Sequence, residues 1–375
     1  MNLGDIITVA DSEKCGNREF PVLSMTMHDG LVLQTDRFKK AIASKDLSGY
    51  KVVRRNQLVV SFPIDEGVLY IQDVVDAGIV SPAYTVWDVR TDMICPKFLG
   101  MFLRCPKSIQ YYKAKLRGST ARRRTIPRDD FLAMGIPDLS ISDQDRICAI
   151  LEKIGSVIAA STKQIDILEE LVKSRFVEMF GDPMTNPMGW PKARLGDKCT
   201  ITTGNTPPRS EANNYGDFIE WIKSDNIVDG KLTRAVECLS EKGFERSRHV
   251  GPGAILMTCI AGSLNSIGNC ALVDRQVAFN QQLNAIIPSE EYNEVFLLWL
   301  LRLSKNVLHR GINKCLKGIL SKGNLAGKEF PLPPIALQRE FAAFVAKADK
   351  LAFAARRRRD LAQQMYRAKT QEFFG

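Results

Sequence analysis

"FPLPPIALQRE" (330–340) repeats the layout of "IPDLSISDQDR" (136–146), 194 residues earlier in the chain. From there the two stretches run without a gap to "QEFFG" (371–375) and "VEMFG" (177–181). Ten of the 46 aligned positions are identical, among them Pro137/Pro331, Ile141/Ile335, Gln144/Gln338, Asp166/Asp360 and Phe180–Gly181/Phe374–Gly375. Average composition gives about three by chance.

Each copy reads as one long helix. In the first, Ile147, Ile150, Ile154, Val157, Ser161, Ile165, Leu168 and Leu171 recur at three- and four-residue spacing. In the second, Phe341, Phe344, Ala348, Leu351, Ala355, Ala362 and Met365 do the same. Prolines precede each run, neither run contains one, and Gly181 and Gly375 close them. Roughly 38 residues at 1.5 Å each give a helix of about 57 Å. A helix of that length needs a partner of equal length to cover its apolar stripe, and the other copy is available. The pattern fits a parallel or an antiparallel pair. Small residues near the middle, Ala159, Ala160 and Ser161 against Ala352, Ala354 and Ala355, favour the antiparallel one, although alanine also simply favours helix.

The repeat reaches into the rest of the chain. "LGD" stands at 3–5 and again at 195–197, and "KFLGMFLRC" (97–105) resembles "EVFLLWLLRL" (294–303). Residues 20–26, 57–62, 68–73 and 83–89, and then 218–224, 254–259, 269–273 and 283–287, have strand character, with helices expected at about 95–116 and 291–316. The expected fold is therefore α+β: two α/β-type globular domains separated by two long antiparallel coiled-coil helices, a pseudo-twofold internal repeat. The domains span 1–142 and 182–334, and the helices 143–181 and 335–375, with a proline-rich connector at 182–194.

The net charge is +10 and the isoelectric point is near 9.1, which suits an acidic partner such as nucleic acid. Placement says more than the total. Nine cations and no carboxylate lie between Arg104 and Arg128, and seven cations and no carboxylate between Arg302 and Lys328. Glycines and hydroxyls are interleaved in "RGSTARRRT" (117–125) and "KGILSKGN" (317–324), as phosphate-contacting loops require. The run Arg356–Arg359 points all round its helix and reads as a solvated surface or a docking site for an acidic protein.

Other classes find no residues to support them. The nine cysteines include no C-x-x-C pair, so they read as reduced, mostly buried thiols of a cytosolic protein. The three histidines are far apart, and the start "MNLGDIITVADSEK" does not read as a signal peptide. "GNLAGKE" (323–329) has the wrong spacing for a P-loop, and "GPG" (251–253) lacks the third glycine of a dinucleotide turn. "NTPPR" (205–209) lacks the aromatic of an N-P-P-[YF] methyltransferase motif. The chain reads as a binder with two heads, not an enzyme.

The stretch "MFGDPMTNPMGWPKARLGDKCTITTGNTPPRSEANNYGDFIEWIKSDNI" (179–227) resembles the DNA-specificity (S) subunit of Type I restriction–modification systems, with its G-D-P, N-P-x-G-W, L-G-D, G-x-T-P-x-R and Y-G-D…W-I sequence. "FPLPPIALQ" (330–338) and "NQQL" (280–283) are similar to further motifs of that family, while "IPDLSISDQ" (136–144) is a degenerate copy. The resemblance implies two target-recognition domains, each reading half of a bipartite asymmetric site on double-stranded DNA. It implies that the helices act as spacer and dock two modification (methyltransferase) subunits, which methylate adenine at N6. It implies that S-adenosylmethionine and ATP with Mg belong to partner subunits, that restriction (translocase/nuclease) subunits join them, that this chain binds no cofactor or metal, and that no membrane is involved. A non-catalytic coiled-coil scaffold whose heads bind nucleic acid nonspecifically is the alternative.

Candidate phosphate contacts are Arg117, Ser119, Arg122 and Arg124 in the first head, and Lys317, Ser321 and Lys322 in the second. Candidate base-edge readers are Thr206, Arg209, Lys223, Ser224, Asp225, Asn280 and Gln281, which sit at loop or strand ends where the family motif recurs; Asn and Asp also cap turns. Trp190 and Trp221 read as core anchors.

Overall fold

Ile141–Phe180 and Ile335–Phe374 are each one uninterrupted 40-residue helix. The first begins where the Ser140 hydroxyl accepts the Asp143 N–H at 3.1 Å, satisfying an otherwise orphaned donor of the first turn. It stops at Gly181, whose φ of +77° a side chain rarely adopts, and where a Cβ would lie 2.6 Å from Pro187. The second begins directly after Pro333 and Pro334. The structure, a computed structural model, describes all residues except 12, 28, 38–45, 118–124, 229, 311 and 313–317.

The chain divides into two compact units, residues 1–161 with 357–375 and residues 162–356, so each unit holds half of both long helices. In the first unit Phe374 joins an apolar cluster with Leu3, Phe98, Phe102, Ile147 and Leu151, its ring 5.4 Å from that of Phe98. In the second, Phe180 packs edge-on against Phe296 at 4.7 Å, and Phe176 meets Phe341 at 5.4 Å. In both, the end of one helix lies beside the start of the other, which makes the pairing antiparallel. Truncating one such buried phenylalanine costs about 3–5 kcal/mol, so the helix segments are held firmly to their heads.

The seam is narrower than the sequence stripe. Val157, Leu171, Leu351 and Met365 are exposed, and so are Ala159, Ala160 and Ala354, whereas Ser161, Ala352 and Ala355 are buried. Successive residues turn by 100°, so three neighbouring small residues cannot all face one partner.

The repeat includes the sheets. The first unit has a four-stranded antiparallel sheet in the order Ile7–Val9, Thr85–Val89, Leu58–Val60, Leu69–Ile71. The second has the same arrangement with Cys199–Thr203, Leu283–Pro288, Ile255–Thr258 and Cys270–Leu272. Strand alternation sends Leu58, Leu69 and Trp87 into the cluster under the helix Pro96–Leu103, and Val59, Tyr70 and Val86 into the cluster on the opposite face. Ile255 and Met257 against Leu256 and Ala285 repeat this split in the second unit, under the helix Glu294–Leu303. The two "LGD" copies also match: Leu3 N–H donates to Met134 O and Leu195 N–H to Lys328 O, both at 2.8 Å. The expected helix at 95–116 is broken at Pro106 into Pro96–Leu103 and Pro106–Lys115, because a proline cannot donate within a helix.

One pair of repeated residues ties each head to its helix. Gln144 and Gln338 are completely buried. The Gln144 amide accepts the Cys95 N–H at 2.8 Å and donates to Leu139 O at 2.9 Å. Gln338 accepts the Asn293 N–H at 2.9 Å and donates to Pro333 O at 2.8 Å and Glu291 O at 3.0 Å. Cys95 and Asn293 are the residues that begin the matching helices Pro96–Leu103 and Glu294–Leu303. Replacing Gln338 with alanine strands those three backbone groups, and is expected to cost on the order of 3 kcal/mol. The exposed Gln364→Ala is expected to stay within about 0.5 kcal/mol; urea unfolding of both variants checks the difference.

Candidate nucleic-acid interface

Beyond its four-stranded sheet the second unit carries a five-stranded one, Tyr215–Gly216, Cys238–Leu239, Ile219–Ile222, Val277–Phe279 and His249–Val250. Ile219–Ile222 and Val277–Phe279 are its parallel pair, Trp221 facing Ala278 and Ile222 facing Phe279. Loops leaving the carboxyl ends of neighbouring parallel strands diverge on one side and form a natural ligand crevice. Those loops carry Lys223–Asn226 and Asn280–Gln282, and Asn280 N–H donates to Ile222 O at 3.0 Å to join them.

A third segment is drawn in at Gly204. A Cβ there would lie 2.2 Å from Asn280 O and 2.5 Å from Phe279 O, so only glycine permits this approach. Asn205 N–H then donates to Phe279 O at 3.2 Å, and the Thr206 hydroxyl donates to the Gln281 side chain. Thr206, Arg209, Lys223, Ser224, Asn280 and Gln281, separated by up to 75 positions, thereby share one rim. Asn280 is itself buried; its side chain accepts the Gln282 N–H at 3.1 Å and donates to Gln282 Oε1 at 3.0 Å, closing the turn. Asp225 sits exposed in the short helical turn Ser224–Asn226.

The cations of this rim are held in place. Arg209 stacks over Tyr215 and Trp221, 5.2 and 5.5 Å from the ring centroids, and Lys223 lies 5.0 Å from the centre of Trp221. Both pair with Glu237. Burial raises the Glu237 pKa, but the bonds from Lys223 and Arg209 outweigh it and hold the carboxyl below its usual range. Trp221 is buried, and its indole N–H donates to Asn205 O at 3.3 Å, so the expected core anchor also supports the rim. Sequence reasoning passed over Asn205, Glu237 and Arg248. Asn205 binds Arg246 O at 2.8 Å and the Arg248 N–H at 2.6 Å, which attaches the exposed Arg248 to the same edge. Nothing in the sequence pairs 205 with 248; only the position of Asn205 directly after Gly204 marked it.

The two segments without carboxylates are less free than their sequence implies. In the second unit Arg302 pairs with Glu169 at 2.8 Å, Lys305 binds Asn269, and Lys328 donates to Arg310 O. Lys322 is exposed, but the Ser321 hydroxyl is used to cap the helix Lys322–Ala326, accepting the Asn324 N–H at 3.2 Å. In the first unit Lys115 and Arg117 share Asp130 at 3.1 and 3.3 Å, and Arg128 lies over Trp87. The Arg117 side chain is still 77% exposed, and its backbone pairs with Thr125 in both directions. The candidates Ser119, Arg122, Arg124 and Lys317 lie outside the described residues. Among the described residues no group of three or more His, Cys, Asp or Glu could hold a metal, and no helix is long and apolar enough to cross a membrane.

The profile of the Type I restriction modification DNA specificity domain matches residues 187–361, a span that contains the whole rim. Residues 187–361 carry this domain. The chain is 22% identical over 358 residues to the Type I restriction enzyme HindI specificity subunit of Haemophilus influenzae, covering 74% of this chain and 75% of that one. It is 21% identical to the MjaIX specificity subunit of Methanocaldococcus jannaschii, over 68% of this chain and 63% of that one. Among solved structures, the Type-I restriction-modification S subunit from M. genitalium superposes with a TM-score of 0.62 at 13% identity, covering 100% of this chain and 95% of that one. A chain from a structure describing complex assembly of the type I R-M system gives 0.55 at 17% identity, covering 100% and 96%. The two-headed fold with paired helices is thus shared with these solved structures, and the scaffold alternative finds no support among these relatives.

Gly204→Ala tests whether the rim depends on that close approach. A Cβ against two carbonyl oxygens is expected to destabilise the chain by about 1–3 kcal/mol. Gly251→Ala, whose Cβ meets nothing within 4 Å, is expected to be nearly neutral in the same thermal scan.

Proposed function

We propose that this chain is the sequence-specific DNA-recognition subunit of a Type I restriction–modification complex and reads a bipartite asymmetric site. The family match carries the role. The observation that carries the two-part site is the same four-stranded sheet built twice, each copy with different residues on its outer side. The functional division follows as 1–142 and 182–334 for the two target-recognition domains, with 143–181 and 335–375 as the helices between them.

In the second head, Arg209, Thr206, Lys223, Ser224, Asp225, Gln281 and Asn280 form the base-reading edge. Arginine offers a bidentate donor pair to guanine O6 and N7, and an amide such as Gln281 matches adenine N6 and N7. Ser321, Lys322 and Lys317 there, and Arg117, Ser119, Arg122 and Arg124 in the first head, contact phosphate and set register. Side chains already fixed on aromatic rings lose less freedom when DNA arrives, which favours affinity.

The long helices offer what partner subunits would need. Val157, Ile167, Leu171 and Val177 on the first and Leu351, Phe353, Leu361 and Met365 on the second are large, apolar and exposed. Two modification subunits docking on such faces would bring S-adenosylmethionine and adenine-N6 chemistry, and restriction subunits would bring ATP-driven translocation and cleavage, in the cytoplasm. This chain supplies recognition and none of the catalysis.

Methylome sequencing of the host with and without the gene tests the assignment. Loss of one bipartite methyladenine motif, and of no other, is the expected result. An unchanged methylome in a strain whose partner subunits are expressed contradicts it.

A further inference from the structure

We infer that Glu237 is the positioning residue of the second head: it holds Arg209 and Lys223 as a fixed fork and cancels one of their two charges, so that the pair favours base edges over indiscriminate phosphate contact. The inference rests on reading this rim as the DNA-contacting edge.

Backbone pairing sets the carboxylate in place. Trp221 N–H donates to Glu237 O at 3.1 Å, which puts Glu237 beside the ring on which both cations lie. Its Oε1 is 3.0 Å from Arg209 Nη1, its Oε2 is 3.4 Å from Arg209 Nη2, and Oε2 also takes Lys223 Nζ. The Arg209 side chain remains 60% exposed while that of Glu237 is 30% exposed, so the carboxylate lies beneath and the guanidinium faces outward.

Folding does not account for this arrangement. A half-exposed ion pair adds little to stability, and fixing two long side chains costs rotamer entropy. The trio has another consequence. Two free cations would each recruit a phosphate from any DNA, whereas Arg209, Lys223 and Glu237 together carry a single positive charge. Reduced general attraction with retained donor geometry raises the ratio of specific to nonspecific binding, which is the quantity a reader must maximise. Arg248, attached to the same edge through Asn205, has no carboxylate partner among the described residues and is left for unrestrained phosphate contact.

The test is a salt titration of the full-length chain on a random-sequence duplex and on duplexes that the wild type selects from a random pool. Glu237→Gln is expected to bind the random duplex several-fold tighter. Its log–log salt slope is expected to steepen by about 0.9, the value of one added phosphate contact. The gap between selected and random duplexes should shrink. Glu237→Asp keeps the charge on a shorter stem that cannot span both cations; it is expected to keep the wild-type slope and lose part of the gap, and it decides the matter if E237Q fails to fold. A wild type that binds both duplexes equally overturns the DNA-reading assignment and this inference with it. A wild-type gap untouched by the folded variants, or a uniform loss on both duplexes, overturns the inference alone.

Discussion

Two glutamine side chains sealed from solvent decide how each head meets its long helix. An apolar stripe alone leaves a helix free to slip by a turn with modest loss, since one leucine or isoleucine packs much like another. A buried amide has no such freedom, because each unmade bond strands a polar group at a cost of about 1–3 kcal/mol. Gln338 bonds the N–H of Asn293, the residue that caps the helix Glu294–Leu303, together with two carbonyls, and Gln144 does the matching work before Pro96–Leu103. Only one register satisfies these bonds, in the way a single buried polar residue fixes the register of a coiled coil. The phenylalanine clusters around Phe374 and Phe180 then close on a geometry that is already chosen. The helix lies against its sheet at one setting, and the outer sheet and its loops inherit that setting.

Charge available to a ligand differs from charge counted along the chain. The stretch from Arg302 to Lys328 has no carboxylate of its own, but Glu169 of the first long helix pairs with Arg302, and backbone carbonyls take Lys305 and Lys328. The rim around Trp221 shows the reverse. Arg209 and Lys223 are tied down there, but by aromatic faces and one carboxylate that leave the donor edges outward. A long flexible cation binds phosphate anywhere, whereas a fixed one discriminates.

Much of the architecture was legible because it repeats with helical or strand period. The ungapped 194-residue offset, the prolines before each run and the glycines after it announced two long helices, and Phe180 and Phe374 at matching positions hold equivalent clusters. Strand-like runs such as 57–62 and 254–259 fell on the matching strands Leu58–Val60 and Ile255–Thr258. What was not legible was the width of the seam. Val157 and Leu351 obey the same spacing as buried neighbours but face outward, because spacing marks a face and not what covers it. Nor could the sequence place Glu237 against Arg209 and Lys223, since that contact depends on which strands become neighbours. Thr206 and Gln281 were legible separately through family motifs, but their contact required Gly204, whose significance lies in an absent Cβ.

The two heads therefore share what packing demands and differ where packing is indifferent. Both must present the same four strands to a helix, because that sheet face and the helix bury each other. Beyond it the described residues of the first unit form two two-stranded pairs, Lys51–Arg54 with Ala77–Val80 and Leu23–Met25 with Leu31–Leu33, joined by a single parallel bridge between Val22 and Ile79, where the second has a five-stranded sheet. If both heads presented the same loops they would favour a symmetric site, since matched surfaces read matched half-sites. On the proposed reading, heads built on one scaffold with unlike outer sheets would read unlike half-sites, and an asymmetric bipartite target would follow from that difference rather than from any special chemistry.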